Sequence, residues 1–391
     1  MKRCTRTDNS TVMLSKKVRI GFINHNSPLD RKASSGTTFQ MCQALKRIGA
    51  EIVWLQPKHN LLYILVDFFY KLLTVFTGSK ILRDHTINLA IIESQSLKKQ
   101  DIENCDVLFA PFASAALYTL KTDKPIIYLS DTTFSAMVDY YFKGLVSWNV
   151  KQANKIEQTA LLKATHTIYA SQWAYQSAIQ DYNADKSRIH VIEFGANIDE
   201  QNIIPHQFIY NGQLDLLFLG VDWIRKGGDI AVEATRYLND KGIPTTLHIV
   251  GIRNLDKNIA NLPYVKNYGF LNKNNPNDYN QLVSIIQQSH CLLLPTTAEC
   301  AGIVFCESSA NGLPIFTYNT GGVPNYVENG KNGYMLPIGS SGQEFGKKIY
   351  ECLQSGELEK MSETAVDVYK EKLNWTVWGQ KVELIINTLL S

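Results

Sequence analysis

Cys291-Leu-Leu-Leu-Pro-Thr-Thr-Ala-Glu-Cys-Ala-Gly302, continued by Ile303-Val-Phe-Cys-Glu-Ser-Ser-Ala-Asn-Gly-Leu-Pro314 and Ile315-Phe-Thr-Tyr-Asn-Thr-Gly-Gly-Val-Pro324, is the stretch whose pattern decides the fold. Leu292, Leu293 and Leu294 form an apolar run stopped by Pro295, which reads as a buried parallel strand feeding a loop. A helix is predicted to begin near Ile303 and to end at Asn311 and Gly312, because glycine just past the last helical residue is the usual stop. Glu299 then sits on the loop ahead of the helix and Glu307 about one turn inside it. Backbone N–H groups around Gly302, Ile303 and Val304 would point at an anion, and the helix dipole would add roughly 0.3–1 kcal/mol of attraction. Carboxylates beside a bound anion make sense as acceptors of hydrogen bonds from hydroxyls, which sugars and ribose supply. The stretch therefore reads as a cradle for a diphosphate that carries sugars.

Working outward, short apolar runs recur at 18–23, 51–55, 107–110, 126–129, 166–170 and 191–194, and again at 214–219, 246–250, 291–294 and 315–318. Helical patterns lie between them, such as 37–48, where Phe39, Cys42, Leu45 and Ile48 fall at helix spacing before Gly49; others are 229–238 and 279–287. Alternating strand and helix predicts an α/β chain of doubly wound sheets. The polar stretch 195–212, with Asn197, Asp199, Pro205 and His206, interrupts the series. The expected organisation is a polar, disordered start at 1–17, a first Rossmann-like domain at 18–200, a second at 201–370, and a helical tail at 371–391.

With 391 residues, 45% hydrophobic content and a net charge of +3, the chain has ample core material and no charge excess that calls for nucleic acid. Seven scattered cysteines show no paired metal spacing, so reduced thiols and a cytoplasmic setting are expected. Residues 1–17 lack the apolar centre of a signal peptide. The segment from Leu61 to Phe76 is apolar but shorter than the roughly 20 residues that span a bilayer, and it contains Asp67 and Lys71. It reads as a mostly buried helix. The competing reading is an interfacial helix flanked by Lys58, Lys71 and Lys80 that makes peripheral contact with a membrane or a lipid-linked acceptor.

On Glu299-Cys-Ala-Gly-Ile-Val-Phe-Cys-Glu307, Ala310-Asn-Gly-Leu-Pro314, Thr320-Gly-Gly-Val-Pro324 and Asn329-Gly-Lys-Asn-Gly-Tyr334, the chain resembles the retaining glycosyltransferases of the large bacterial family four, the group 1 type, which have the GT-B fold. The resemblance implies two Rossmann-like domains facing a cleft, Glu299 by the donor sugar, Glu307 on the ribose hydroxyls, and a tail that crosses back to the first domain through Trp375 and Trp378. It also implies a metal-independent reaction with no cofactor beyond the nucleotide-diphosphate sugar donor. The partners would be that nucleotide sugar and an acceptor glycan, lipid or small molecule, with no nucleic acid.

The remaining site residues follow from the same comparison. Gly220-Val-Asp-Trp-Ile-Arg-Lys-Gly-Gly228 links a strand to a helix, and Lys226 is the expected cation on the departing diphosphate. Relatives carry an Arg directly after the first Gly; here Val221 occupies that place and Arg225 is either its substitute or a solvated turn residue. Gly36, in Ala33-Ser-Ser-Gly-Thr37, belongs either to a loop facing the donor phosphate or to a helix start capped by Ser35. Asp131 stands where many relatives have a His. It would position or deprotonate the acceptor hydroxyl, or else cap the next helix. Phe270 and Leu271 lie in the loop that holds the nucleobase in relatives, while Ser171 and Trp173 read as structural. Lys226, Glu299 and Asp131 are thus the catalytic candidates. Gly36, Arg225, Lys226, Phe270, Leu271, Glu299, Gly302, Ile303, Val304 and Glu307 are the donor-binding ones, and no metal ligand is expected.

The chain lacks Gly-x-Gly-x-x-Gly, a phosphate loop ending in Gly-Lys-Ser/Thr, Asp-x-Asp and Gly-x-Ser-x-Gly. Dehydrogenase, phosphoryl-transfer, metal-dependent glycosyltransferase and serine-hydrolase readings therefore lose their motifs. A noncatalytic GT-B protein that binds a nucleotide or glycan, or a sugar-nucleotide epimerase of the same fold, are the alternatives to a glycosyltransferase.

Overall fold

The computed structural model describes residues 17–31, 36–198, 200–205, 208–273 and 275–391. Residues 1–16 of the polar start and the Ser35 cap lie outside them. Twelve strands carry the described architecture. β1 (Arg19–Ile23), β2 (Glu51–Leu55), β3 (Val107–Pro111), β4 (Ile126–Ser130), β5 (His166–Tyr169) and β6 (Ile189–Val191) form one sheet in the order β2-β1-β3-β4-β5-β6. β7 (Leu214–Leu219), β8 (Thr245–Val250), β9 (Val265–Asn267), β10 (Cys291–Leu294), β11 (Ile315–Tyr318) and β12 (Gly333–Leu336) form the other in the order β12-β11-β10-β7-β8-β9. Every neighbouring pair is parallel.

Parallel pairing requires crossovers and puts helices on both faces, which is why β3, β4, β10 and β11 are continuous apolar runs buried at every residue. Seven helices matter below: α1 (Thr37–Arg47), α2 (Leu61–Thr77), α3 (Ile87–Gln95), α4 (Gly228–Asp240), α5 (Pro276–Gln288), α6 (Ile303–Ala310) and α7 (Trp375–Leu390). Two doubly wound α/β units, each with its own core, are the architecture that the GT-B resemblance implies. The second core gathers Leu216, Phe218, Leu292, Phe305 and Phe316. The first gathers Ile20, Phe22 and Phe109 together with Trp375, Trp378 and Val382 of α7, so the last helix is built into the core of the first sheet.

Three local expectations need correction. Of the run at 191–194 only Val191 pairs as a strand; β6 begins earlier, in register Thr167↔Ile189 to Tyr169↔Val191, and Phe194 turns into the first core instead. β9 and β12, edge strands of three and four residues in which only Val265 and Gly333 are buried, were not among the expected strands: β9 is polar after Val265, and β12 offers only the short, partly exposed run Tyr334-Met-Leu336. The largest correction concerns α2. Of its 17 residues only Tyr63 and Tyr70 are buried, packing on Leu89 and Ile92 of α3. Leu61, Leu62, Ile64, Leu65, Phe68, Phe69, Leu72, Val75 and Phe76 are exposed, so it is not a core helix. Asn60 caps its start by accepting the Tyr63 N–H at 2.9 Å, and Gly78 ends it in the left-handed region. No described helix is long and apolar enough to cross a membrane.

Candidate active site

β7 and β10 are neighbours in the second sheet although β8 and β9 lie between them in sequence, so the winding direction reverses there. Loops leaving the carboxyl ends of two such strands diverge and open a crevice, the usual ligand position of an open α/β sheet. One loop is 220–227, between β7 and α4; the other is 295–302, between β10 and α6. They border a cavity of ≈ 830 Å³ that also takes in Arg31, Thr37, Phe112, Asp131 and Tyr141 from the first sheet's side. That volume falls within the roughly 300–1,000 Å³ of small-ligand pockets.

Close backbone approach shapes the loops. Gly227 has φ +73°, and a Cβ there would overlap the Pro295 carbonyl, so only glycine lets the first loop cross the second. The Gly321-Gly322 pair works on the same loop from the other side. The Gly322 N–H donates to Glu299 O at 2.9 Å, and a Cβ on Gly322 would overlap Cys300 O. Both glycine positions therefore fix the backbone that carries Glu299.

Two ion pairs line the cavity. Lys226 Nζ meets Glu299 Oε2, and both side chains are largely buried. Lys273 Nζ lies 2.7 Å from Oε1 of Glu307, whose carboxylate is buried on α6. Neither buried carboxylate stands alone, which removes the several kcal/mol that an unpaired buried charge costs. The arrangement alternates cation and anion around the start of α6. A polyanion with hydroxyls on both ends is complementary to it: phosphate oxygens for the lysines, hydroxyl donors for the carboxylates.

The first domain reaches into this loop. Tyr140 Oη accepts the Glu299 N–H at 2.8 Å and lies 2.8 Å from Thr320 Oγ1. Tyr141 Oη donates to Ala298 O at 2.9 Å, and burial foremost pushes its phenol pKa far up, so it remains a donor. Arg225 Nη1 donates to both Tyr141 Oη and Ala298 O at 3.0 Å. These contacts tie the two domains together beside Glu299. Phe112, at the end of β3, holds φ +54° on the cavity wall, a conformation of the left-handed region that a bulky residue keeps only where the surroundings impose it.

Asp131, Arg225, Lys226, Phe270, Leu271, Glu299, Ile303, Val304 and Glu307 all line the cavity. Gly36 and Gly302 do not. Gly36 is the N-cap of α1 with φ 89°, and its neighbour Thr37 faces the cavity instead. Gly302 precedes α6, flanked by the lining residues Ala301 and Ile303. The Ile303 N–H is not open to an anion, since it bonds Ala301 O at 3.0 Å. Asp131 does not cap the next helix: Thr133 does, accepting the Ala136 N–H at 3.2 Å. Burial foremost, with the Glu299 charge adding, pushes the Asp131 carboxyl up to about 6. Arg225 reaches the cavity, yet its guanidinium is spent on Tyr141 and the Ala298 carbonyl, while Val221 is exposed. Ser171 caps its helix by accepting the Ala174 N–H, and Trp173 packs 5.0 Å from Tyr140. Sequence reading missed Lys273, Tyr140 and Tyr141. The Tyr140-Tyr141-Phe142 aromatic triplet was a usable signal, whereas one lysine in a polar loop was not.

Residues 199–367 match the model of the family Glycosyl transferases group 1. The match takes in the whole of the second sheet, β7 to β12, and less than half of the chain. An uncharacterized glycosyltransferase of Methanocaldococcus jannaschii is 26% identical over 190 residues, 49% of this chain and 51% of that protein, so the match spans about half the relative's length. Among solved structures, the sucrose-phosphate synthase of Thermosynechococcus elongatus superposes with a TM-score of 0.71 over 96% of this chain and 99% of that one, at 13% identity. Anabaena HepE, in complex with UDP and glucose, does so with 0.61 over 95% and 100%, at 16% identity. Likeness at such identity establishes the shared fold, GT-B. Both ion pairs lie within the matched residues, and Asp131 and Tyr141 approach them from outside that match.

Proposed function

We propose that the protein is a retaining, metal-independent glycosyltransferase that moves a sugar from a nucleotide-diphosphate sugar to an acceptor hydroxyl of a glycan, lipid or small molecule. The observation that carries this reading is the pair of ion pairs, buried Lys226 with Glu299 and exposed Lys273 with buried Glu307, in one cavity bordered by both domains. The match of residues 199–367 to the group 1 family model and the UDP and glucose held by HepE support it. In this reading the anomeric C–O bond of the donor breaks and its electron pair leaves on the diphosphate. Lys226, already fixed in place, meets that charge, and preorganised donors of this kind are usually the largest catalytic contribution. Lys273 and the start of α6 hold the other phosphate. Glu299 orients the sugar, Glu307 accepts from the ribose hydroxyls, and the acceptor oxygen forms the new bond as its proton passes toward Asp131. Arg225 acts on the site by bracing Tyr141 and the loop at Ala298. NMR of the product fixes the anomer, and an inverted configuration would reject retention.

A thermal-shift screen with UDP, GDP, ADP and their sugar conjugates tests the donor site. A nucleotide at 100 times its Kd stabilises the native state by about 2.7 kcal/mol. Glu307→Ala should weaken binding of that nucleotide about 10- to 100-fold, the worth of hydrogen bonds to a charged group. No shift with any nucleotide, or equal shifts in wild type and variant, would remove this site.

Asp131 adds a pH signature. An acid whose folded pKa is about 6 must be ionised to accept a proton, so kcat/KM should rise with pH and reach half its plateau near pH 6. A carboxyl raised above its unfolded value binds protons more tightly in the folded state, so ionised Asp131 lowers stability above that pH. Asp131→Asn should flatten the limb and raise Tm at pH 7–8. A limb that persists in the variant excludes Asp131 as the titrating group.

For α2 we propose peripheral contact with anionic lipid, at the cytoplasmic face where nucleotide sugars are made. Its exposed Leu65, Phe68, Phe69, Leu72 and Phe76 form an apolar face larger than soluble surfaces ordinarily leave uncovered, and Lys58, Lys71 and Lys80 are exposed around it. The protein should co-sediment with phosphatidylglycerol vesicles and release on Phe68→Glu/Phe69→Glu. Wild type that stays in the supernatant ends this proposal.

A further inference from the structure

His25, His59 and Glu93 come together from three distant parts of the sequence at the carboxyl end of the first sheet. His25 follows β1, His59 follows β2, and Glu93 lies on α3. His25 Nε2 is 2.7 Å from Glu93 Oε1, and the His25 and His59 rings are 4.7 Å apart. One donor atom from each residue lies within 4.8 Å of the other two, and no other described trio of His, Cys, Asp or Glu is gathered this closely.

We propose that these three residues bind a divalent transition-metal ion of the zinc class. Two imidazoles and one carboxylate are an ordinary donor set for such an ion and a poor one for magnesium or calcium, which prefer all-oxygen shells. Tetrahedral ligand atoms around zinc stand about 3.3 Å apart, so the widest pair here must close by about 1.5 Å at most. The exposed His59 ring can make that movement. It stacks face to face on Tyr63 in the first turn of α2, with centroids 3.8 Å apart and planes 6° from parallel, and slides along that ring without leaving it. Glu93 is buried and supplies the fixed point of the site.

Three protein ligands leave a fourth position for water or for an oxygen of a ligand on the acceptor side. The ion would also pin the start of α2 to the loop after β1 and to α3, fixing the base of the exposed apolar helix. The site lies outside the donor cavity, so it is compatible with metal-independent sugar transfer.

Titration of zinc into the metal-free full chain should find one tight equivalent, and both His59→Ala and Glu93→Gln should abolish it. Exposed His59 can be replaced without disturbing the core, so that variant tests the ligand and not the fold. Cobalt should give the d–d absorption of a nitrogen and oxygen site. A thiolate-to-cobalt charge-transfer band would place the ion on cysteines and overturn the proposal. So would an unchanged equivalent in either variant, or no binding by wild type with native circular dichroism. These readouts need neither nucleotide nor sugar, and they stand or fall apart from the glycosyltransferase reading.

Discussion

Lys226→Ala is expected to lower kcat about 100- to 1,000-fold while leaving the fold intact, the scale of removing one preorganised donor from a charge that develops in the transition state. The lysine is buried beside Glu299, in a loop held by Gly227 against Pro295. An ammonium held there reaches a departing diphosphate without reorganising. Its loss should fall mainly on kcat, because in the proposed donor site the nucleotide keeps Lys273, Glu307 and the start of α6. Removing it also leaves Glu299 as a buried, unpaired carboxylate, so a modest drop in Tm should accompany the kinetic change. Lys226→Ala/Glu299→Gln removes that electrostatic penalty, so its Tm should recover while turnover stays low. Near-native kcat in Lys226→Ala would remove the lysine from the reaction.

Trp378→Ala should be the most destabilising single change in the first domain, at about 3–5 kcal/mol for deleting a buried aromatic side chain. The indole is fully buried, edge-on to Phe109 of β3 with centroids 6.1 Å apart, and it joins Ile20, Phe22, Met41 and Leu45 in one core. Trp375, one turn earlier, donates from Nε1 to Asn197 Oδ1 at 3.0 Å, which fastens the segment between the sheets to the start of α7. A cavity at Trp378 therefore loosens both the first core and the seat of the last helix. Urea unfolding followed by circular dichroism should resolve a transition that moves to lower denaturant, while nucleotide binding at the proposed donor site of the second unit is retained below it. A change under about 1 kcal/mol would mean that α7 contributes little to the first domain.

The fold was largely legible because parallel strands buried on both faces must be apolar throughout. Cys291–Leu294 is written that way, Ile315–Tyr318 and Leu214–Leu219 are so apart from Thr317 and Asp215, and all three appear at those bounds. Edge strands carry no such constraint, and Val265–Asn267 and Gly333–Leu336 were invisible for that reason. Run 191–194 misled in the opposite sense, because a residue can be apolar to fill a core without pairing, as Phe194 does. In the site, Lys226, Glu299 and Glu307 could be picked out because each stands at a fixed offset from a strand end or a helix start. Lys273 could not, since its importance rests on a partner far away in the chain, and the aromatic triplet at Tyr140 and Tyr141 marked a position without revealing its partners at Ala298 and Glu299.

By itself, then, the sequence determined the alternation of strand and helix, two doubly wound units, and the strand–loop–helix that places two carboxylates around a helix start. Local hydrophobic periodicity and turn chemistry decide all of these. Tertiary structure alone decided which cation meets which carboxylate, that Thr133 and not Asp131 caps the helix after β4, that Arg225 braces a tyrosine, and that α2 turns its apolar face outward. Those outcomes depend on which surfaces meet after folding. A pattern along one helix records that a face is apolar, whereas only the surrounding fold supplies or withholds the surface that covers it.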